Sequence, residues 1–341
     1  MATLKLTVYP ENLRYNFLLM QTACPGTEIA AVVKANGYGL GIENVVPPLA
    51  EAGCKTFFVN RLKEGLAVRR LTSEAKIYVL DAFIGSDTLQ DYRAFDLTPV
   101  FSTIEALARY PDERNIAVRL DTGFNLGGMD AFDEFSVLHA LKGRSVALLM
   151  SHLACAERPD NSKNKNQLAL FCKYAAFFPL AKKSLSASFG AALGKEYHFD
   201  IIRAGAALYG STALPGSRPV AKLQSTIGWL KWFQAGDSIG YNDSCLLTKK
   251  TLVASVPVGS GDGIVHKAGC FVRFKDFLLP VLAAPTTNYL PVDATAVADC
   301  IRTGDEVHLF DAVYTPDRLA VDAGMEVGAD VLIRLNSFAF S

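Results

Sequence analysis

From Ile29 to Gly210, short runs of consecutive apolar residues alternate with longer segments in which apolar residues recur every three or four positions. The runs are IAAVVKA, TFFVN, KIYVLD, LTPVF, NIAVRLD, SVALLMSHL, KKSLSAS and DIIRAGAALYG. Between them stand IENVVPPLAEAG, RLKEGLAVRRL, STIEALARY, DAFDEFSVLHALKG and NKNQLALFCKYAAFF; a polar turn with a short helix follows KIYVLD, and an Ala-rich turn follows KKSLSAS. A strand that is apolar throughout is buried on both faces, as in a parallel sheet covered by helices. Eight such units predict an α/β chain that closes into a (β/α)8 barrel of the TIM type rather than an open doubly wound sheet. No G-x-G-x-x-G follows the first run, which agrees with that choice. The weakest helices are expected near residues 85 and 191.

The pattern changes at STALPGSRP, residues 211–219, a Pro/Gly/Ser stretch that reads as a linker. Beyond it TIGWLKWFQ, TLVASVPVG, FLLPVLAA and EVHLF alternate with glycines and prolines and carry little helical period. These segments predict a C-terminal, mostly β domain. The expected division is a barrel over 8–215 and a β domain over 216–341, with an N-terminal strand at 1–7 joining the second.

Charge and composition narrow the partners. Lys plus Arg and Asp plus Glu number 34 each, so the chain lacks the basic footprint of a nucleic-acid or anionic-membrane binder. The first twenty residues are interrupted by charges and Pro10, and no apolar run is long enough to span a bilayer, so a cytoplasmic protein without an export signal is expected. The seven cysteines, at 24, 54, 155, 172, 245, 270 and 300, have no C-x-x-C spacing and read as reduced thiols, with no metal site among them. A small-molecule substrate fits this balance best.

In a (β/α)8 barrel reactive side chains gather at the C-terminal ends of the strands. Here Lys34 ends the first run, Arg119 and Asp121 the fifth and His152 the sixth, while Arg203 lies in the eighth. A lysine in an apolar wall has a lowered pKa and forms Schiff bases; a surface lysine before a turn is the competing reading of AAVVKANGYGLG. In RAGAALYG the small residues let backbone N–H groups approach an anion, although a tightly packed strand end reads the same way. Together, a Schiff-base lysine and a phosphate cradle are what pyridoxal phosphate requires.

AVVKANGYGLG resembles the cofactor-lysine motif of alanine racemases, the fold-type III pyridoxal-phosphate enzymes. DTGFNLGGM, MSHLACAE, IIRAGAALYG, AGDSIGYNDS, VGSGDG and APTTNYLPVDAT resemble further segments of that family, in its order. The resemblance implies a homodimer with shared active sites that interconverts L and D amino acids, alanine by default. It implies Lys34 as the Schiff-base lysine and one catalytic base, and Tyr241 as the second base, delivered by the partner subunit. Tyr38, Ser188, Gly205 and Ala206 would hold the cofactor phosphate, His152 would lie against the pyridine ring, and Arg203 would face the ring nitrogen.

The chain also departs from the family's pattern. Leu126 stands where the family has an arginine that bonds the cofactor phenolate and helps receive the substrate carboxylate. Arg119 replaces a lysine that is often carbamylated, Ser188 and Phe189 stand for an Asn-Ser pair, and Ser260, Ile264, Ala284, Thr287, Asn288 and Ala329 replace larger or charged residues. These changes leave two alternatives beside racemisation. One is another α-carbon reaction or substrate on the same cofactor, such as elimination or decarboxylation; the other is cofactor binding without turnover.

Overall fold

The computed structural model describes residues 4–83, 87–110 and 115–335. Parts of three expectations lie outside the described residues: the start of the N-terminal strand (1–3), the polar turn at 84–86 and the end of the second domain (336–341). The chain forms two compact units, one of residues 13–37 and 42–217, the other of residues 4–12, 38–41 and 218–335.

The first strand, β1 (Lys5–Val8), belongs to the second of these units. The other unit contains β2 (Glu28–Val32), β3 (Thr56–Val59), β4 (Lys76–Val79), β5 (Leu97–Phe101) and β6 (Asn115–Asp121). It continues with the two-residue β7 (Met129–Asp130), then β8 (Ser145–Met150), β9 (Lys182–Ser184) and β10 (Ile201–Ala204). Eight of these strands, all except β7, coincide with the eight apolar runs. They pair in parallel in the order β10-β2-β3-β4-β5-β6-β8-β9, and β7 adds to β6. The ring closes between its last two strands, where Ala187 bridges Arg203 and Asp200 N donates to Lys183 O at 3.1 Å. The predicted (β/α)8 barrel is present.

Burial follows the sequence pattern. Every residue of β3 is buried, as are Ile29–Val32 of β2 and Ile77–Val79 of β4, which is why these runs are apolar at successive rather than alternate positions. The expected weak helices are the six-residue segment Leu89–Ala94 and the 3-10 turns Phe189–Ala192 and Lys195–Tyr197. The longest barrel helix, Ser162–Phe177, buries Asn164 and Gln167 beside Phe171 and Tyr174. Those two polar residues hold the loop that carries His152, described below.

The second unit contains β11 (Ala221–Thr226), β12 (Trp229–Phe233), β13 (Ser238–Ile239), β14 (Cys245–Leu246), β15 (Thr251–Val256), β16 (Phe271–Phe274), β17 (Phe277–Pro280), β18 (Leu290–Asp293) and β19 (Glu306–Phe310). They form sheets β1-β11-β19-β16-β17 and β12-β15-β18 and the hairpin β13-β14. The N-terminal strand pairs antiparallel with β11, from Lys5 opposite Gln224 to Val8 opposite Ala221. The unit is less purely β than its sequence suggests, because Pro316–Ala323 and Gly328–Arg334 are helices. At two turns each they are too short to show a period. Their caps are nevertheless legible: the Thr315 side chain accepts from Arg318 N, Pro316 opens the first helix, and Gly324 ends it at φ 72°.

His266 is buried in this unit and its Nε2–H donates to Leu309 O on β19 at 3.0 Å. Burial pushes the imidazole pKa down to about 4. The unfolded chain, with a histidine pKa of about 6.5, binds a proton that the folded form refuses. Stability is therefore highest above pH 6.5 and falls as pH drops toward 4, where the loss levels off. His266→Gln keeps a donor and removes the titration. Between pH 6.5 and 4 the wild type should lose about 3 kcal/mol more stability than this variant in urea unfolding; equal losses would show that His266 does not titrate with folding.

Candidate active site

Lys34 stands two residues past the end of β2, and the backbone after it is unusual. Ala35, Asn36, Gly37 and Tyr38 all have left-handed dihedrals, with φ of 52, 53, 64 and 54°. They make one left-handed turn in which Gly37 N donates to Val33 O at 3.0 Å. Each non-glycine residue in such a turn costs about 1–2 kcal/mol, so the turn must be held from outside. Glu64, in the first turn of the helix Leu62–Leu71, accepts from Asn36 N at 3.2 Å, and also from Asn60 N at 2.8 Å and Arg61 N at 3.1 Å. Asn36 Oδ1 in turn accepts from Ile42 N at 3.1 Å.

Four of the expected residues interact within the barrel. Burial lowers the Lys34 pKa; Arg119 and Arg203 lower it further, while Asp81 and Glu64 oppose them. A lysine so placed holds more free amine at neutral pH than an exposed one. Arg203 is 3% exposed and has no carboxylate partner among the described residues. Its Nη1 donates to Ser184 O at 2.8 Å and Ser184 Oγ at 2.6 Å, and its Nη2 to Ser151 O at 2.6 Å and Leu185 O at 3.3 Å. Its Nε–H has no partner among the described residues. Burial, with Arg119 adding to it, pulls the guanidinium pKa down to about 9, which leaves it charged at neutral pH.

Arg203 Nη2 lies 3.3 Å from His152 Nδ1. A guanidinium only donates, so Nδ1 accepts and the imidazole proton sits on Nε2. Burial and then the charges of Arg203, Arg119 and Lys34 push the His152 pKa down to about 3, so the ring is neutral. Phe124 meets it edge-on with centroids 5.0 Å apart. Gln167, from the long helix, donates to His152 O at 2.8 Å and accepts from Ala154 N at 2.9 Å. Gln167 is a positioning residue that the sequence reading missed, and the signal for it was a polar residue on a buried helical face.

Ser188, Gly205 and Ala206 also come together. Ser188 Oγ is buried and accepts from Gly205 N at 3.0 Å and Ala207 N at 3.1 Å. The Gly205 amide is thus bonded to Ser188 and not open to a ligand, contrary to the simplest form of the expectation. The serine hydroxyl proton and the Ala206 N–H, at the start of the 3-10 turn Ala206–Tyr209, point to no partner among the described residues.

The two tyrosines belong to the other unit. Burial and the Asp330 carboxylate raise the Tyr38 pKa, so its hydroxyl stays protonated. Tyr241 lies at the tip of the β13-β14 hairpin with 72% of its surface exposed, between Gly240 and Asn242, whose φ values are 88° and 55°. Leu126 is 70% exposed and turns its carbonyl, not its side chain, toward Arg119. Ala329 is buried inside the helix Gly328–Arg334.

Known proteins resemble this chain over nearly its full length. Residues 8–213 match the family model of the alanine racemase N-terminal domain, and residues 220–337 that of the alanine racemase C-terminal domain. A catabolic alanine racemase of Agrobacterium fabrum is 34% identical over 340 residues, covering 94% of this chain and 87% of its own. The biosynthetic alanine racemase of Pseudomonas aeruginosa superposes with a TM-score of 0.90 at 27% identity, over 98% of this chain and 97% of that one. The alanine racemase of Bartonella henselae with covalently bound pyridoxal phosphate superposes with a TM-score of 0.89 at 25% identity, over 98% of both chains. Matches of both halves of the family's architecture, in order and over nearly the full length, mean that this chain belongs to the alanine racemase family.

Proposed function

We propose that this chain is a pyridoxal-phosphate-dependent amino-acid racemase, with alanine as its default substrate, acting as a cytoplasmic homodimer. The observation that carries the proposal is a lysine of lowered pKa grouped with two arginines that have no carboxylate partner among the described residues. Such a donor set fits a ligand with an aldehyde and several oxygen anions. Bound pyridoxal phosphate supplies the aldehyde and an electron-withdrawing ring that acidifies the substrate α-proton.

The barrel, 8–215, carries the cofactor in this reading, and the domain of 216–341 brings Tyr241 to the partner's site. Lys34 is the residue that would hold the cofactor's aldehyde, and its Nζ would move a proton on one face of the substrate. Tyr241 Oη of the second copy serves the opposite face, and its exposure at a hairpin tip suits that task. One base per face lets the proton leave on one side and return on the other without rotation of the substrate. Arg203, with its spare Nε–H, would face the ring nitrogen of the bound cofactor, and because a guanidinium keeps its own proton it would leave that nitrogen unprotonated. His152, neutral and fixed in tautomer, would lie against the ring of the bound cofactor. Ser188 Oγ, Ala206 N–H and Tyr38 Oη are the groups that would receive the phosphate, with the Gly205 amide bonded to Ser188.

Incubation with single enantiomers of alanine in deuterated water tests the proposal. A racemase exchanges the α-proton and inverts the centre; a new product would mean elimination or decarboxylation, and neither exchange nor product would mean a cofactor-binding protein. Lys34→Ala should abolish the protein's visible absorbance and lower exchange by roughly 10²–10⁴-fold. Retention of a borohydride-reducible chromophore in that variant would remove Lys34 from its role.

Shared sites make a second prediction. Mixing Lys34→Ala with Tyr241→Ala subunits should restore activity, to roughly a quarter of wild type if exchange is random, because each heterodimer has one intact site. No recovery after proven subunit exchange would show that both bases come from a single chain.

A further inference from the structure

We infer that Arg119 holds the cofactor's phenolate oxygen, the anion that neighbours the aldehyde carbon taken by Lys34. This rests on the reading of Lys34 given above. It assigns Arg119 a binding contact in a chain whose residue 126 carries no charge to supply one.

Arg119 lies on β6 and is half-buried. Of the charges around Lys34 it acts most strongly, and it also acts on His152 and Arg203. Among the described residues one hydrogen bond holds it: Nη2 donates to Leu126 O at 2.9 Å. The loop offering that carbonyl is itself fixed, since Asp121 Oδ1 accepts from Gly123 N at 2.9 Å and Asn125 N at 3.0 Å. Gly128 lets the loop return against β6, for a Cβ there would fall 2.6 Å from Asp121 N.

The remaining guanidinium N–H groups have no partner among the described residues. The two carboxylates that act on Arg119 are engaged elsewhere: Asp121 with its loop, and Asp81 with Asn60 Nδ2 at 2.9 Å. A half-buried cation with no ion pair and several open donors is costly unless an anion completes it. A guanidinium presents planar donors that suit an oxygen anion, and the bond is charge-assisted. Beside the carbon that Lys34 takes, the cofactor's only anionic oxygen is the phenolate. Leu126 cannot supply this charge, and its side chain faces solvent.

The test compares two cofactors on two proteins. Full-length protein is stripped of cofactor, and dissociation constants are measured for pyridoxal phosphate and for 3-O-methylpyridoxal phosphate, which lacks the phenolate. The wild type should prefer pyridoxal phosphate by about ten- to a hundredfold. Arg119→Gln should bind it weaker by a similar factor and lose that preference, while Arg119→Lys should keep part of it. A wild type indifferent to the methyl group overturns the inference without any variant, so a misfolded Arg119→Gln does not shelter it. An undiminished preference in folded Arg119→Gln overturns it too. If the wild type takes up neither compound, the cofactor assignment itself has failed, and this inference with it.

Discussion

The buried guanidinium of Arg203 is the constraint on which the barrel mouth depends. A charge removed from water without a carboxylate partner is expensive, and it is tolerated here because hydrogen bonds from its Nη groups end on Ser184, Leu185 and Ser151. Those acceptors lie on β9, just after it, and just after β8, while Arg203 itself is on β10. One side chain therefore ties together three successive strands, next to the point where the ring closes through Ala187 and Arg203. The same guanidinium fixes the tautomer of His152 and keeps its ring neutral. One residue thus contributes both to closing the barrel and, after burial, to keeping His152 neutral.

The left-handed turn after Lys34 shows a second coupling of local strain to function. Four successive residues, three of them not glycine, adopt positive φ, which no short-range preference explains. Glu64 compensates from the helix Leu62–Leu71 by accepting three backbone amides, one of them from Asn36 within the turn. The strain is local and its support is tertiary. A further glycine serves the same stretch within the second unit: a Cβ on Gly39 would fall 2.1 Å from Leu332 O, and its φ is 82°.

Electrostatically the mouth is cationic, and the chain as a whole is not. Lys34, Arg119 and Arg203 act on one another, and the nearby acids Asp81, Asp121 and Glu64 are occupied by amide donors. Burial strengthens the mutual repulsion of these charges and lowers the lysine pKa toward the range where a free amine is available. Leu126 belongs to the same picture. The family's arginine is absent at this position, but the leucine's carbonyl secures Arg119, so a cation remains in the mouth on a different strand position.

The sequence by itself determined the eight parallel strands, because strands buried on both faces must be apolar at every position and their helices amphipathic. It also determined which side chains lie at strand ends, since Lys34, Arg119, His152 and Arg203 each terminate or interrupt an apolar run that has no other use for a charge. The family's motifs made Tyr38 and Tyr241 visible, which composition and spacing would have left as ordinary turn residues. Tertiary structure alone decided the rest. The left-handed turn depends on Glu64, the Gly205 amide is taken by Ser188 across the barrel seam, and His152 owes its neutral state first to burial and then to three cations distant in sequence. Of the two C-terminal helices, both too short to leave a period, the first forms where Thr315, Pro316 and Gly324 cap it. In each case the deciding partner lies outside the window over which a pattern can be read, so only the folded chain specifies it.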